Sequence, residues 1–573
     1  MNPNKIDLKN LPFQELVETG NNYIREQNLK FAEKYYDEAF KKINFAASKD
    51  SFYLNYANCK LQLAKYDEAK KFYEHSLSLN SNLYPAYQSL ALCEITLFNQ
   101  KKNLDPLRAF DSTYIKNALE IIKQAIKLNP DDIENYKYLG LLFSEIDDLE
   151  NTVTNFKKYL FVKFDFSLIK KYCSILDEYG LYDDIFELCN FWLQSNILNV
   201  DQKAYLRRRI AIFFLVSNDF KQAESSLKEC LSSREYFPNT ILDLNSIRKF
   251  NVNDDVVKQV EIGLKKDFFN EIEIPVLYQF LANVYEKIDD NVFINYLSLS
   301  KKARFKIRRN SFKINDSILI DNGKLLDGIE SNEVKDFRPI FIVGMPRSGT
   351  TLAHQVISNH SLVHGLGEFP DLPSSLRNFS DKISSKINLS DLQDFINKVA
   401  QKYVLNAKFI NCNKKIFVDK SPLNFLYLNH IVKLFPNAKI ISCERDPMDI
   451  CWSIYRNYFT TDFVYFYQLK DIADTYKSYK RIMDYWKERL PECIFSLNYE
   501  HFIDNQHETT IKLLEFCNLN YEEQCLQPEK NKSKISTVSK FEARKKVNDA
   551  NKRKWEKYKD HLKPLIDSLS NIE

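Results

Sequence analysis

Glycine is scarce in this chain of 573 residues: there are ten, where an average composition of roughly 7% would give about 40. Each glycine retained therefore carries information, and four of the ten, Gly344, Gly349, Gly365 and Gly367, fall in one short segment. Such clustering predicts a backbone that turns sharply or approaches a ligand closely. The eleven cysteines are odd in number and form no C-x-x-C pair, so neither a disulfide framework nor a zinc site is signalled, and a reducing compartment fits. Charge of one sign is also lacking. Eighty-one Lys plus Arg against 77 Asp plus Glu leave +4, too little to predict nucleic acid or an anionic membrane as the main partner. No uninterrupted apolar run approaches the roughly 18 residues of a membrane span, and the N-terminus lacks the layout of a signal peptide. The expectation is a soluble, cytoplasmic protein. Its 44% hydrophobic and 14% aromatic content argues for sizeable cores, and its length for more than one folding unit.

Residues 12 to about 310 read as paired amphipathic helices almost free of Gly and Pro. In the stretch 51–82, Ala57 and Ala69 occupy sites where two helices cross, and Tyr53, Tyr56 and Tyr73 fill the gaps. The pattern recurs at Ala32, Tyr36 and Ala39, and at Ala118, Ile122 and Ala125. More degenerate copies span Gly140 to Tyr159, Tyr182 to Trp192, Ala211 to Cys230 and Ala282 to Ser300. An insertion near 97–113 interrupts the third unit, and 233–270 is irregular. This pattern resembles the tetratricopeptide repeat, with six or seven copies, and the aromatics read as core packing between stacked helices. From about 335 the period changes. Four β-rich runs, at 338–344, 415–420, 438–445 and 493–500, alternate with helical stretches, which predicts a parallel α/β sheet whose ligands sit at the carboxyl ends of the strands. The expected organisation is an all-α solenoid over 1–310, a linker over 311–337 and an α/β domain over 338–573.

The segment 341–357, FIVGMPRSGTTLAHQVI, reads as a strand, a turn from Gly344 and a helix opening near Thr350, so backbone amides and the helix dipole converge on one point. The spacing imitates the loop of nucleotide triphosphatases, but Thr350 stands where that loop has Lys, which argues against ATP hydrolysis. Arg347 instead offers a planar fork suited to phosphate or sulfate oxygens without a metal.

G-x-P-R-S-G-T-T resembles the 5'-phosphosulfate loop of the sulfotransferases that use 3'-phosphoadenylyl sulfate, in particular the tyrosylprotein sulfotransferases and their bacterial relatives fused to tetratricopeptide repeats. The resemblance implies that Arg347, Ser348, Gly349, Thr350 and Thr351 hold the donor's 5' end. It further implies that Arg445 and Ser453, eight residues apart after a later strand, hold its 3'-phosphate. Where the tyrosylprotein enzymes carry a second Arg, this chain has Asn457, with Arg456 one residue earlier. Tyr499 matches a donor-contacting Tyr. Ser539 and Lys554, in the C-terminal stretch 536–555, match a Ser and a Lys of the closing loop, while Glu542 stands where relatives have Gln. The resemblance makes Glu368, 21 residues after Arg347, the catalytic base, and makes Lys420 the lysine that steadies the bridging oxygen; Ser539 is counted with them in the catalytic set. No metal is expected. His354, His360 and His364 crowd the same region, the last placed in a loop, but complete no ligand set and read as packing or helix-end residues.

Sulfuryl transfer to an acceptor hydroxyl of a protein tyrosine, a carbohydrate or another compound is thus the expected function, with the repeats capturing acceptor or protein partner and with no nucleic acid and no membrane span involved. The alternatives are a tetratricopeptide adaptor with a degenerate catalytic domain and a nucleotide kinase, the second disfavoured by the missing lysine.

Overall fold

The computed structural model of the chain describes residues 7–45, 48–104, 112–307, 326, 328–330, 334, 336–376, 389–459, 466–531, 544 and 552–570. The predicted linker over 311–337 lies largely outside these residues.

Helices follow one another from α1 (Phe13–Arg25) to α16 (Asp290–Ile307). The alanines that the repeat pattern singled out, Ala32, Ala39, Ala57, Ala69, Ala118 and Ala125, are fully buried, which lets helix axes approach; Tyr36, Tyr56 and Tyr73 are buried beside them. Side-chain caps set several starts. Asp148 accepts from the Asn151 N–H, Asp219 from the Gln222 N–H, and Asn199 forms a reciprocal capping box with Gln202. The turns between paired helices share one device. Gln27, Ala64, Asp147, Gly180 and Asn218 all take a left-handed backbone, with φ of 59°, 58°, 55°, 70° and 67°. In a glycine-poor chain four of these five corners use a side-chain-bearing residue, at a cost of about 1–2 kcal/mol each where the side chain makes no local bond.

Compactness divides the chain at Asp165/Phe166, well before the shift in composition. One unit comprises Met1–Asp165 with Asp381–Lys398, and the other Phe166–Ser380 with Val399–Glu573. The second unit joins the helices from α9 (Phe166–Glu178) to α16 with a five-stranded sheet of β1 (Arg338–Gly344), β2 (Val363–Gly367), β3 (Ile416–Asp419), β4 (Lys439–Glu444) and β5 (Ile494–Asn498). The sheet is parallel throughout, in the order β2-β3-β1-β4-β5. The connection leaving β1 runs toward β2, and that leaving β3 crosses β1 toward β4, which opens a topological switch point beside β1. Four strands match the β-rich runs of the sequence. The fifth, β2, does not, and His364 therefore lies on a strand rather than in the expected loop. With two glycines in five residues, a register shift between Gly365 and Gly367 and pairing to β3 alone, this edge strand offers little β-propensity to read.

On one face of the sheet, Ile340, Ile342, Val418 and Ile441 pack with Ala353, Val356 and Ile357 of the helix Thr350–Ser358 and with Leu513 and Leu514 of the helix Gln506–Phe516. The other face carries an aromatic cluster in which Phe341, Phe337 and Phe435 surround Tyr403. Among the described residues no helix is long and apolar enough to cross a membrane.

One of the helices of the second unit, α16, packs directly on the α/β part. Phe293 of α16 lies edge-on to Trp452 at 6.3 Å and against Tyr558 at 5.3 Å. Truncating this buried ring as Phe293→Ala should lower the unfolding free energy of that unit by about 3–5 kcal/mol, read from urea unfolding. An unchanged midpoint would show that α16 only leans on the α/β part.

Candidate functional site

The turn after β1 is tight at three points. A Cβ on Gly344 would meet the Cys443 carbonyl and the Ser348 Oγ, both at 2.7 Å. Arg347 is held at φ 73°, a left-handed backbone that costs a side-chain-bearing residue about 1–2 kcal/mol and that persists only where the surroundings enforce it. Gly349 stands at φ 100°, and a Cβ there would lie 2.7 Å from the Tyr499 ring. Gly349 is also the N-cap of the helix Thr350–Ser358, so no N-cap side chain covers the positive end of that helix. Ser348 is fully buried, with an Oγ that has no hydrogen-bond partner among the described residues, and Thr350 and Thr351 are buried in the first turn. A tight turn with amides and hydroxyls at the head of a helix is a candidate cradle for an anion.

Strand register brings two further pairs to the same edge. Gly367 of β2 stands opposite Asp419 of β3, and the residues that follow them are Glu368 and Lys420. The Lys420 N–H donates to the Gly367 carbonyl at 2.8 Å, and the Lys420 ammonium donates to Glu368 Oε1 at 2.5 Å. The lysine side chain is only 3% exposed and the glutamate 48%, so a buried cation holds a carboxylate that opens to solvent. Beneath them the Asp419 carboxylate accepts from Ser421, Tyr403 and Asn424; burial pushes its pKa up to about 7, against the pull of those donors. On the opposite side of β1, Glu444 of β4 stands opposite Asn498 of β5, and the residues that follow are Arg445 and Tyr499. The Arg445 guanidinium lies 4.6 Å from the centre of the Tyr499 ring.

Arg445 also donates to the Arg347 carbonyl at 3.3 Å and pairs with Asp449 at 3.3 Å, and Arg347 Nε donates to Ser453 Oγ at 2.9 Å. Arg347, Gly349, Arg445, Ser453 and Tyr499, up to 152 positions apart in sequence, therefore form one cluster around the cradle, with Glu368 and Lys420 as a second. Of the two residues beyond Ser453, Asn457 turns its amide to the Ser453 carbonyl at 2.7 Å, whereas Arg456 is paired with Glu286. Lys554 is exposed at the start of a short 3-10 stretch; its neighbour Arg553 donates its N–H to Asp449 Oδ2 at 3.0 Å, which anchors that stretch to the Arg445 cluster. Ser539 and Glu542 lie outside the described residues.

The histidines are structural in their surroundings. His354 is buried, and desolvation pushes its pKa down to about 3, with the charges of Lys420 and His364 adding to the push. His360 faces the Asn520 carbonyl at 2.9 Å, and His364 contacts Asn411. Sequence reasoning assigned no role to Asp419 or Asp449, and both are buried. The signal was present in D-K and D-P-M-D after two strands, since Asp446 caps the helix Pro447–Arg456 and so places Asp449 in its first turn.

Residues 339–523 match the family model described as Sulfotransferase family, and residues 50–83, which span α3 (Lys49–Gln62) and α4 (Tyr66–Leu79), match that of the Tetratricopeptide repeat. The chain carries a sulfotransferase-family domain and a tetratricopeptide repeat. An uncharacterized protein of Aquifex aeolicus (strain VF5) is 30% identical over 285 residues, 47% of this chain and 37% of its own. Protein-tyrosine sulfotransferase 1 of Mus musculus is 32% identical over 126 residues, 20% of this chain and 32% of its own, so the chain spans about a third of the length of these two relatives. The solved sulfotransferase domain of the Synechococcus PCC 7002 olefin synthase aligns at 16% identity over 43% of this chain and 98% of that chain, with a TM-score of 0.31.

Gly349→Ala places a Cβ where the Tyr499 ring of the sulfotransferase domain sits, in a backbone region unfavourable to alanine. The variant should lose about 1–2 kcal/mol of stability in thermal unfolding. A variant as stable as wild type would mean that Tyr499 swings aside at no cost.

Proposed function

We propose that the sulfotransferase domain transfers a sulfuryl group from 3'-phosphoadenylyl sulfate to an acceptor hydroxyl. The observation that carries this reading is the cradle between Gly344 and Thr351, flanked on one side by the Glu368–Lys420 pair and on the other by the Arg445–Ser453 cluster. The residues fit the donor. A helix start without an N-cap side chain, the Ser348 hydroxyl, unpartnered among the described residues, and the Arg347 fork suit its sulfated 5' end, and Arg445 and Ser453 suit its 3'-phosphate. Tyr499 and Lys554 are assigned to the donor as well, and Ser539 to the closing segment. When bound, the donor supplies a sulfuryl group carried on a phosphate leaving group.

The chain's own groups then have defined tasks. Glu368, half-exposed and held by Lys420, is the base that takes the acceptor hydroxyl's proton at a carboxylate oxygen. Lys420, a buried point charge 2.5 Å from that carboxylate, would stabilise negative charge developing on the oxygen that bridges phosphate and sulfate. Arg347, fixed by Ser453 and by its own backbone, is pre-oriented, so its fork forms bonds with little loss of freedom. No step asks for a metal. The acceptor is a protein tyrosine, a carbohydrate or another hydroxyl compound, and the repeats capture it or a protein partner, since stacked helix pairs present a concave surface. A cytoplasmic setting suits eleven cysteines that are all free.

Glu368→Gln keeps the shape and removes the base, so turnover should fall by roughly 10² to 10⁴ while donor affinity stays similar. Wild-type turnover would return Glu368 to the partner of Lys420 and nothing more. Arg445→Ala should weaken donor binding by about 1.5–3 kcal/mol in calorimetry, with or without a metal chelator. An unchanged dissociation constant, or binding that needs Mg²⁺, would count against the proposed donor site.

A further inference from the structure

The helix Pro447–Arg456 carries Ser453, and its carboxyl end is finished by side chains from elsewhere in the chain. Lys301, on α16, donates its ammonium to the Asn457 carbonyl at 2.6 Å. Gln279, on α15 (Glu273–Tyr285), donates its amide to the Arg456 carbonyl at 3.2 Å. Two side chains from two successive repeat helices thus converge on consecutive carbonyls at the negative end of one helix dipole. Both residues are buried, Lys301 to 3% exposure and Gln279 to 1%.

A buried lysine is costly to keep, and this one has no carboxylate within ion-pair distance among the described residues. Burial pushes its pKa down to about 7, and the Arg304 guanidinium adds to the push. Its surroundings are Arg304, which donates to the Tyr467 and Tyr458 hydroxyls, the Tyr455 ring at 5.9 Å, and Arg456, whose charge is met by Glu286. Among the described residues the ammonium donates to the Asn457 carbonyl alone.

From that carbonyl the path to the cradle is short. The Asn457 N–H and side-chain amide both donate to the Ser453 carbonyl, at 3.3 and 2.7 Å, and the amide also reaches Ser453 Oγ at 3.4 Å. Ser453 Oγ in turn accepts from Arg347 Nε. We propose that Lys301 is a positioning residue for the donor cradle: by capping the helix Pro447–Arg456 it fixes Asn457, and through Asn457 the Ser453 hydroxyl that orients Arg347. The last repeat is then a structural part of the donor site. This inference rests on reading the cluster as a donor site, as proposed above.

The test is a calorimetric titration of the full chain with adenosine 3',5'-bisphosphate, the desulfated donor, for wild type, Lys301→Met, Ser453→Ala and the double variant. Methionine keeps the aliphatic stem and removes the cap. Lys301→Met should raise the dissociation constant by about 3- to 30-fold in the wild-type background. In the Ser453→Ala background it should raise it by less than about twofold, because the element through which it acts is gone. A general loss of packing gives the same factor in both backgrounds, and that result, or no loss at all, overturns the inference. Failure of wild type to bind the nucleotide is a separate outcome: it overturns the donor reading itself before any variant is compared. Should Lys301→Met not fold, Gln279→Met, which removes the neighbouring cap, is held to the same comparison.

Discussion

Two parallel strands in register deliver the residues that follow them to the same place, and the candidate site depends on that constraint twice. Gly367 opposite Asp419 brings Glu368 to Lys420, and Glu444 opposite Asn498 brings Arg445 to Tyr499. The ladder fixes these meetings to within a hydrogen-bond length because every register bond upstream must slip for either pair to part. The loop after β1 sits between the two pairs because β1 is the middle strand. A charged pair, an anion cradle and a cation–aromatic pair therefore stand in a row along one edge, set by topology before any loop conformation is chosen.

Within that row, rigidity comes from crowding. Gly344 and Gly349 leave no room for a Cβ, Arg347 keeps a left-handed backbone, and Arg445 holds the Arg347 carbonyl from below. A chain with only ten glycines spends two of them here, while most of its inter-helix corners make do with Gln, Ala, Asp and Asn in the same backbone region. The difference is what a side chain would strike. Gln27, Ala64 and Asn218 are exposed at their corners, whereas a side chain at Gly344 would strike a neighbouring strand's carbonyl and at Gly349 an aromatic ring.

Much of this was legible in the sequence because it is local. Hydrophobic runs marked β1, β3, β4 and β5, the alanine and tyrosine spacing marked the early repeats, and the G-x-P-R-S-G-T-T turn marked the cradle. The edge strand β2 was not legible, since a five-residue run with two glycines has neither alternation nor β-branched content beyond Val363. Asp419 and Asp449 were missed as buried residues for another reason. A carboxylate reads as a surface charge until the donors around it are known, and those donors, Tyr403 for the first and the Arg553 backbone for the second, come from distant segments. Where the units divide was likewise hidden, because the composition shift marks a change of secondary structure and not a loss of contact.

That last point changes what the later repeats are for. A solenoid that only captures a partner turns exposed side chains outward along its groove and leaves the catalytic domain to pack by itself. Here Tyr179, at the corner after α9, packs edge-on against Phe369 at 5.4 Å and donates its hydroxyl to the buried Asp371 carboxylate at 2.5 Å, while Phe369 rests on Tyr403 at 4.9 Å. The residue before Phe369 is Glu368. At the far end of the same helical run, α15 and α16 close the helix that bears Ser453. The repeats from Phe166 onward thus touch the backbone on both sides of the cradle, one contact next to the proposed base and the other next to the proposed phosphate site. Both contacts are made by buried polar groups, whose geometry is costly to leave unsatisfied and hence sharply defined. Constraint on the geometry of the candidate site therefore reaches into the later helices of this unit.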